Sequence, residues 1–196
     1  ILYRLVGSEM CIRDSSSSAG KRLVVDIGGG STEFIIGKGF DPLVLRSIQM
    51  GCVSYTNRFF SSGELTPEIF KKAITAAQQE MEIIMDRYLD MGWRSCFGSS
   101  GTIRTIAEIQ AEILSDDGEE SALKITLDGL QKIIKHCCSY KKIKKLNFSS
   151  LAEDRKSIFP AGLAVLTAIF KNLKIEEMEY SSCLLYTSPS PRDGIG

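Results

Sequence analysis

The 196-residue sequence lacks an excess of charge of either sign: Lys plus Arg and Asp plus Glu each number 24. A protein that binds nucleic acid or membrane surfaces generally carries a basic surplus, so those classes are disfavoured, although a local basic patch stays open. The sequence also lacks any apolar run near the ~18 residues that a membrane-spanning helix needs. No internal repeat is present, which sets aside solenoids and propellers. What is left is a chain with 43% hydrophobic and 24% charged residues, enough for a packed core and too apolar for disorder throughout. Its length suits one domain, or part of a larger protein.

The two ends read as foreign to the middle. A DNA string that encodes residues 183–193 also encodes residues 5–14 when its complementary strand is read two bases in. The string is similar to a transposon-type sequencing adapter, so residues 1–15 and 183–196 are expected to be adapter-derived and to pack little against the core. The protein proper is then residues 16–182. The ends remove three residues of each charge, so this segment is neutral too. Its cysteines are Cys52, Cys96, Cys137 and Cys138. They lack C-x-x-C spacing and a disulfide framework, which predicts reduced thiols and a cytoplasmic location.

Three short β-rich runs come first: Lys21–Ile27, Ser31–Gly37 and Leu43–Gln49, separated by glycine-containing turns. This spacing predicts an antiparallel meander. A short helix over Val53–Phe60 follows. Thr66-Pro67 then opens a long helix whose apolar residues Ile69, Ala73, Ala77, Met81, Ile84, Tyr88 and Met91 recur at three and four, with Thr66 as N-cap and Gly92 as the stop. Arg94–Phe97 predicts a strand, with a helix from the Gly98–Thr102 junction to about Leu114 and a loop over Ser115–Ser121. Leu127–Cys138 predicts another helix. Ser150 and Glu153 fit a capping box for a short helix through Arg155, and Pro160–Leu173 and Glu176–Tyr180 a final helix and strand. The expected fold is α/β: a mixed five-stranded sheet in βββαβαβ order with helices on both faces, similar to the ribonuclease H-like fold of actin, sugar kinases and heat-shock chaperones.

Two glycine-rich stretches carry the chemistry. In Asp26-Ile-Gly-Gly-Gly-Ser-Thr-Glu33, a two-residue turn at Gly29-Gly30 would place Asp26 opposite Glu33 on one side of the hairpin. Like charges directly opposite destabilise a sheet. A hydrated Mg²⁺ beside a phosphate would compensate them. Gly28, Gly29 and Gly30 would let backbone amides approach phosphate oxygens, and Ser31 and Thr32 would add hydroxyl donors. The second stretch, Gly98-Ser99-Ser100-Gly101-Thr102, joins a strand to a helix and offers an anion the helix N-terminus. It lacks the spacing and lysine of a Walker loop. Gly51-Cys52 could line the same crevice, but a buried thiol is the favoured reading of Cys52. His136-Cys137-Cys138 converges poorly on one ion, because neighbours on a helix point about 100° apart. Lys132, Lys135, Lys141, Lys142, Lys144 and Lys145 could attract a polyanion, and are read as a solvated helix face.

With these motifs in hand, residues 21–182 resemble the exopolyphosphatase/guanosine pentaphosphatase (Ppx/GppA) family. The resemblance rests on RLVVDIGGGSTEFIIG, QMGCVS, GWRSCFGSSGTIRTIAEI and EDRKSIFPAGLAVLTAIF, in the family's order. It implies a Mg²⁺-dependent phosphohydrolase that releases terminal phosphate from polyphosphate or guanosine pentaphosphate, in a homodimeric parent. Nucleic acid and membranes are not among the expected partners. By the same resemblance Asp26 and Glu33 are catalytic and metal-site acids, and Gly28, Gly29, Gly30, Ser31, Thr32, Gly98, Ser99, Ser100, Gly101 and Thr102 bind phosphate. Arg155 matches a basic position assigned to substrate charge. The family also carries a preceding domain with a second phosphate-binding hairpin and a water-activating glutamate. Residues 16–182 match its second domain, which predicts that the segment alone is inactive. Two alternatives stay open: a sugar-kinase-like or ATPase domain of the same fold, and a non-catalytic sensor of phosphate-rich alarmones.

Overall fold

The computed structural model describes residues 20–39, 41–114 and 123–181. The two adapter-like ends and the expected Ser115–Ser121 loop therefore lie outside the described residues. β1 (Lys21–Ile27), β2 (Thr32–Lys38) and β3 (Asp41–Ile48) form the meander. They are followed by α1 (Cys52–Phe59), α2 (Pro67–Met91), β4 (Ser95–Gly98) and α3 (Gly101–Leu114). β5 (Lys124–Thr126), α4 (Leu127–Tyr140), α5 (Phe159–Asn172) and β6 (Glu177–Tyr180) come last among the described residues.

Among the described residues the sheet has six strands, in the order β3-β2-β1-β4-β6-β5. β1, β4 and β6 run parallel, while β2 and β3 pair antiparallel on one side and β5 on the other. The expectation of five strands and a βββαβαβ order missed β5. Its three residues are too few for any periodic pattern, and they become a strand only because β6 supplies the partner edge.

A second difference concerns the faces. Leu23, Val25 and Ile27 of β1 join the main core together with the buried sides of the helices. Val24 and Ile35 pack on the opposite face with Leu45 and Phe97, all four on strands. Among the described residues the helices thus cover one face, where helices on both were expected. Leu23-Val24-Val25 is apolar on both sides, as a strand buried on two faces should be, but a sequence does not say what covers each side.

α2 follows its sequence cues. The Thr66 hydroxyl accepts a hydrogen bond from the Ile69 amide, Pro67 takes the first turn, and Gly92 ends the helix at φ 59°. One stripe, including Phe70, Ala73, Ala77, Met81 and Tyr88, is buried. α5 is buried all round from Phe159 to Phe170, the expected state of a helix without a polar face. The capping box expected at Ser150 does not form. A 3₁₀ turn over Glu153–Arg155 starts at Ala152 without a side-chain cap, because the Ser150 amide donates instead to the Glu112 carboxylate.

Candidate functional site

The carboxyl ends of parallel strands open the site. β1 returns through the hairpin toward β2 and β3, whereas β4 leads through α3 toward β6 and β5, so the connections diverge between β1 and β4. A crevice is expected outside the strand ends at such a point. A cleft of about 670 Å³ lies there, lined by Asp26, Gly28 and Gly29 of the first glycine stretch, by Ser99–Thr102 of the second, and by Arg155.

The first wall has the predicted hairpin register. Asp26 pairs with Glu33 and Ile27 with Thr32, and the Gly28 amide donates to the Ser31 carbonyl. Directly opposite side chains project to the same face, so the two carboxylates share a side. Their surroundings differ. Asp26 is half-buried and lines the cleft. Glu33 is buried, and its Oε1 accepts from the hydroxyls of Ser31 (2.6 Å) and Ser47 (3.0 Å). Its Oε2 is buried without a hydrogen-bond partner among the described residues.

α1 braces this loop from behind. The amides of Cys52, Val53 and Ser54 donate to the carbonyls of Gly28 and Gly29. The helix N-terminus is thereby spent on the loop's carbonyls and holds the loop in place. Gly51 is required for this approach, since a Cβ there would overlap the backbone carbon and oxygen of Gly29. Gly29 and Gly30 themselves do not adopt the left-handed conformation.

The second wall is arranged the other way round. Ser100 caps α3, its Oγ accepting from the Ile103 amide. The amides of Gly101 and Thr102 stand in the first turn, where no intrahelical acceptor exists. The Ser99 Oγ is buried and has no hydrogen-bond partner among the described residues. A buried polar atom left alone is costly, and here it borders a polar cleft. The Arg155 guanidinium lies across Gly101 so closely that a Cβ on Gly101 would overlap its terminal nitrogens. Cation, helix N-terminus and unpartnered hydroxyl therefore converge on one place, which suits an oxyanion.

The sequence-predicted residues divide accordingly. Asp26, Gly28, Gly29, Ser99, Ser100, Gly101, Thr102 and Arg155 line the cleft. Gly30, Ser31, Thr32, Glu33 and Gly98 do not. The Thr32 hydroxyl turns to the core side and donates to the Met50 carbonyl, and Gly98 packs beneath Ile103 and Met178. Sequence reasoning left Cys52 as a core thiol; it is buried but also lines the cleft. It missed Arg104, Glu108, Tyr180 and Asp154 altogether. Arg104 and Glu108 were readable as an i,i+4 pair on α3, and they form an ion pair at 2.8 Å. That pairing raises the Arg104 pKa above its ordinary value. Tyr180 and Asp154 carried no local signal.

A Mg²⁺ fits this donor set. Mg²⁺ takes one or two protein carboxylates and completes its shell with water and phosphate oxygens. Asp26 at the cleft meets the one-carboxylate form of that requirement; Glu33 lies on the same face of the strand pair, buried and outside the cleft lining. Among the described residues no group of three or more His, Cys, Asp or Glu could hold a metal.

Residues 9–185 match the sequence model of the Ppx/GppA phosphatase family. A Haemophilus influenzae protein whose name calls it an exopolyphosphatase is 42% identical over 162 residues, which is 83% of this chain and 49% of that protein. A guanosine-5'-triphosphate,3'-diphosphate pyrophosphatase of Photobacterium profundum is 40% identical over 167 residues, 85% of this chain and 32% of its own length. The chain thus spans between about a third and a half of these relatives. Among solved structures, the Aquifex aeolicus Ppx/GppA family member superposes with a TM-score of 0.74 at 22% identity, covering 92% of this chain and 57% of that one. An exopolyphosphatase from Cytophaga hutchinsonii gives 0.75 at 17% identity, covering 92% and 59%. At those identities the superpositions speak for the fold.

Proposed function

The chain belongs to the Ppx/GppA phosphatase family, and from that premise we propose that its cleft holds the terminal phosphoryl group of polyphosphate or guanosine pentaphosphate for hydrolysis by the whole protein. One observation carries the reading. The cleft gathers a carboxylate, a glycine loop, the first turn of α3 with the unpartnered Ser99 hydroxyl, and Arg155. That is a set for charge on phosphate oxygens and for little else.

The reaction in this reading is in-line attack of water on the terminal phosphorus, with the shortened polyphosphate or guanosine tetraphosphate leaving. The amides of Gly101 and Thr102, the Ser99 hydroxyl and the Arg155 guanidinium donate to phosphoryl oxygens and offset the charge spread over them in the transition state. The α1 amides keep the Gly28–Gly30 loop rigid while this happens. Asp26, with Glu33 on the same face, would hold Mg²⁺, which when bound would neutralise charge on phosphate oxygens. The group that takes the proton from water belongs, by the family resemblance, to the part of the relatives that this chain does not span. The whole protein is read as a cytoplasmic homodimer. A nucleotide-dependent kinase or ATPase of the same fold would prefer ATP over polyphosphate in a direct comparison.

The test uses the whole protein and the variants Asp26→Asn and Glu33→Gln. Both keep shape and remove negative charge, so the melting temperature should hold or rise as the like-charge pair is relieved. Phosphate release should fall by ~10²-fold or more. Unchanged release in both variants would remove the pair from the reaction. The 196-residue chain alone should bind tripolyphosphate yet release phosphate at least ~10²-fold more slowly, as loss of a general base implies.

A further inference from the structure

The cleft continues past the groups that meet the phosphoryl end. The parallel strands lie side by side in the order β1, β4, β6, and the lining runs across their carboxyl ends from Asp26 through Ser99–Thr102 to Tyr180. Adjacent strands lie ~4.8 Å apart, so β6 stands about 10 Å from β1. The lining also runs along α3, where Arg104 and Glu108 follow Gly101 by three and seven positions. At 1.5 Å per residue these are about 4.5 and 10.5 Å further along the helix axis. The reaction proposed above uses none of Arg104, Glu108 and Tyr180.

These three groups differ in kind from those at the phosphoryl end. The Arg104 Nε donates to the Glu108 Oε1 at 2.8 Å, so the guanidinium's charge is already matched. The Glu108 Oε2 accepts no hydrogen bond among the described residues. Tyr180 is half-buried, with its ring against the edge of the core. The hydrogen bond and charge of Glu108 raise the Arg104 pKa, and the Tyr180 phenol adds to the shift, as neighbours would. Asp154, also on the lining, is exposed and forms no ion pair among the described residues.

The sign of the lining separates the two candidate substrates. Apart from Asp26 and Arg155, its charged residues are Arg104, Glu108 and Asp154, one cation against two carboxylates. A long polyphosphate adds negative charge with every phosphate and gains nothing from such a surface. A guanine base is uncharged, with donors at N1 and N2 on one edge and acceptors at O6 and N7 on another. A carboxylate suits the first edge, a guanidinium the second, and a tyrosine ring the face of the base.

On the reading of the cleft given above, we propose that Tyr180 and the Arg104–Glu108 pair form a subsite for the guanine base, so that this cleft selects guanosine pentaphosphate over long-chain polyphosphate. Glu108 has two tasks in it. Its carboxylate accepts from the N1 and N2 donors, and by holding Arg104 it withholds a cation from a passing polyanion. Adenine turns an acceptor nitrogen toward the same carboxylate and is rejected.

Titration calorimetry on the 196-residue chain tests the subsite with GTP, ATP and tripolyphosphate, which share a triphosphate and differ in the base. Long-chain polyphosphate is the fourth ligand, and circular dichroism confirms that each variant folds. GTP should bind at least ~10-fold more tightly than ATP or tripolyphosphate. Tyr180→Leu should weaken GTP by ~10-fold, the scale of one base–aromatic stack, whereas Tyr180→Phe keeps the ring and should keep most of the affinity. Glu108→Gln should move two ligands in opposite directions. GTP should weaken by ~10-fold, and long-chain polyphosphate should bind more tightly because Arg104 is released. A purely structural role for Glu108 would weaken both together. Equal affinity of the unaltered chain for GTP, ATP and tripolyphosphate would overturn the proposal, as would a Glu108→Gln variant that shifts both ligands the same way. Phosphate release from guanosine pentaphosphate by the whole protein tests the reading of the cleft separately. No release, with the preference for GTP intact, would sink that reading and leave the base subsite standing.

Discussion

The two glycine loops both line the cleft, at the ends of the neighbouring strands β1 and β4, and look alike in sequence, yet each uses the adjacent helix in the opposite way. Around Gly28–Gly30, the N-terminal amides of α1 point at the loop's own carbonyls. Around Gly98–Thr102, the N-terminal amides of α3 have no backbone acceptor in the helix, and a partnerless Ser99 hydroxyl stands beside them. The first loop is held by a helix; the second holds. The difference shows that a glycine-rich motif next to a helix N-terminus is not in itself an anion site. What matters is whether the amides are already spent.

Gly51→Ala attacks the first arrangement and should have the largest effect. Its Cβ would overlap the Gly29 backbone, which cannot swing aside as a side chain can. Overpacking of this kind costs about 3 kcal/mol, measured by urea denaturation. Gly30→Ala is the control within the same loop. It meets nothing within 4 Å and should leave stability unchanged or slightly raised. A mild Gly51→Ala would mean that α1 does not brace the loop.

In the second loop the expected losses are of affinity. Gly101→Ala displaces the Arg155 guanidinium, a flexible group, so stability should hold while tripolyphosphate binding weakens by about tenfold, on the scale of one charged hydrogen bond. Ser99→Ala removes a buried hydroxyl without a partner and should stabilise the free protein by ~1 kcal/mol while weakening binding. Titration calorimetry beside thermal melts reads both quantities. A Ser99→Ala variant that loses stability and keeps affinity would reverse the contrast between the loops.

The smallest effect concerns the anchor of the Arg155 segment. Burial works to raise the Glu112 pKa, but the hydrogen bonds from Ser149 and Ser150 outweigh it and hold the carboxyl below its ordinary value. A carboxylate with a lowered folded pKa contributes stability that is complete above the ordinary range and is lost as pH falls through the lowered value. The site is exposed, so the contribution is at most ~1 kcal/mol after solvent screening. Glu112→Ala should erase that acid-limb difference, and hydrogen exchange at Ser149 and Ser150 should rise. The cleft residues on β1 should be untouched, which again separates the two walls.

Much of this architecture was legible without coordinates. Alternating and continuous apolar runs marked β1, β2 and β4, because strand burial follows a two-residue period. Thr66-Pro67 and Gly92 marked both ends of α2, because capping and left-handed termination are properties of single residues. The Asp26–Glu33 register followed from the length of the turn between them. These are local facts, and local energetics decide them.

The tertiary structure decided the rest. β5 exists because β6 offers an edge. The covering of one sheet face by every helix among the described residues depends on where connections cross, which apolar content does not encode. That the α1 amides are spent and the Ser99 hydroxyl is left alone depends on atoms brought together from separate stretches of chain. So does the position of Arg155 over Gly101, 54 residues away in sequence. The sequence by itself determined the elements, their caps and the chemical types that could meet a phosphate. Only the packed chain decided which of those groups face the cleft, since hydrogen-bond satisfaction and exposure are properties of surroundings rather than of residues.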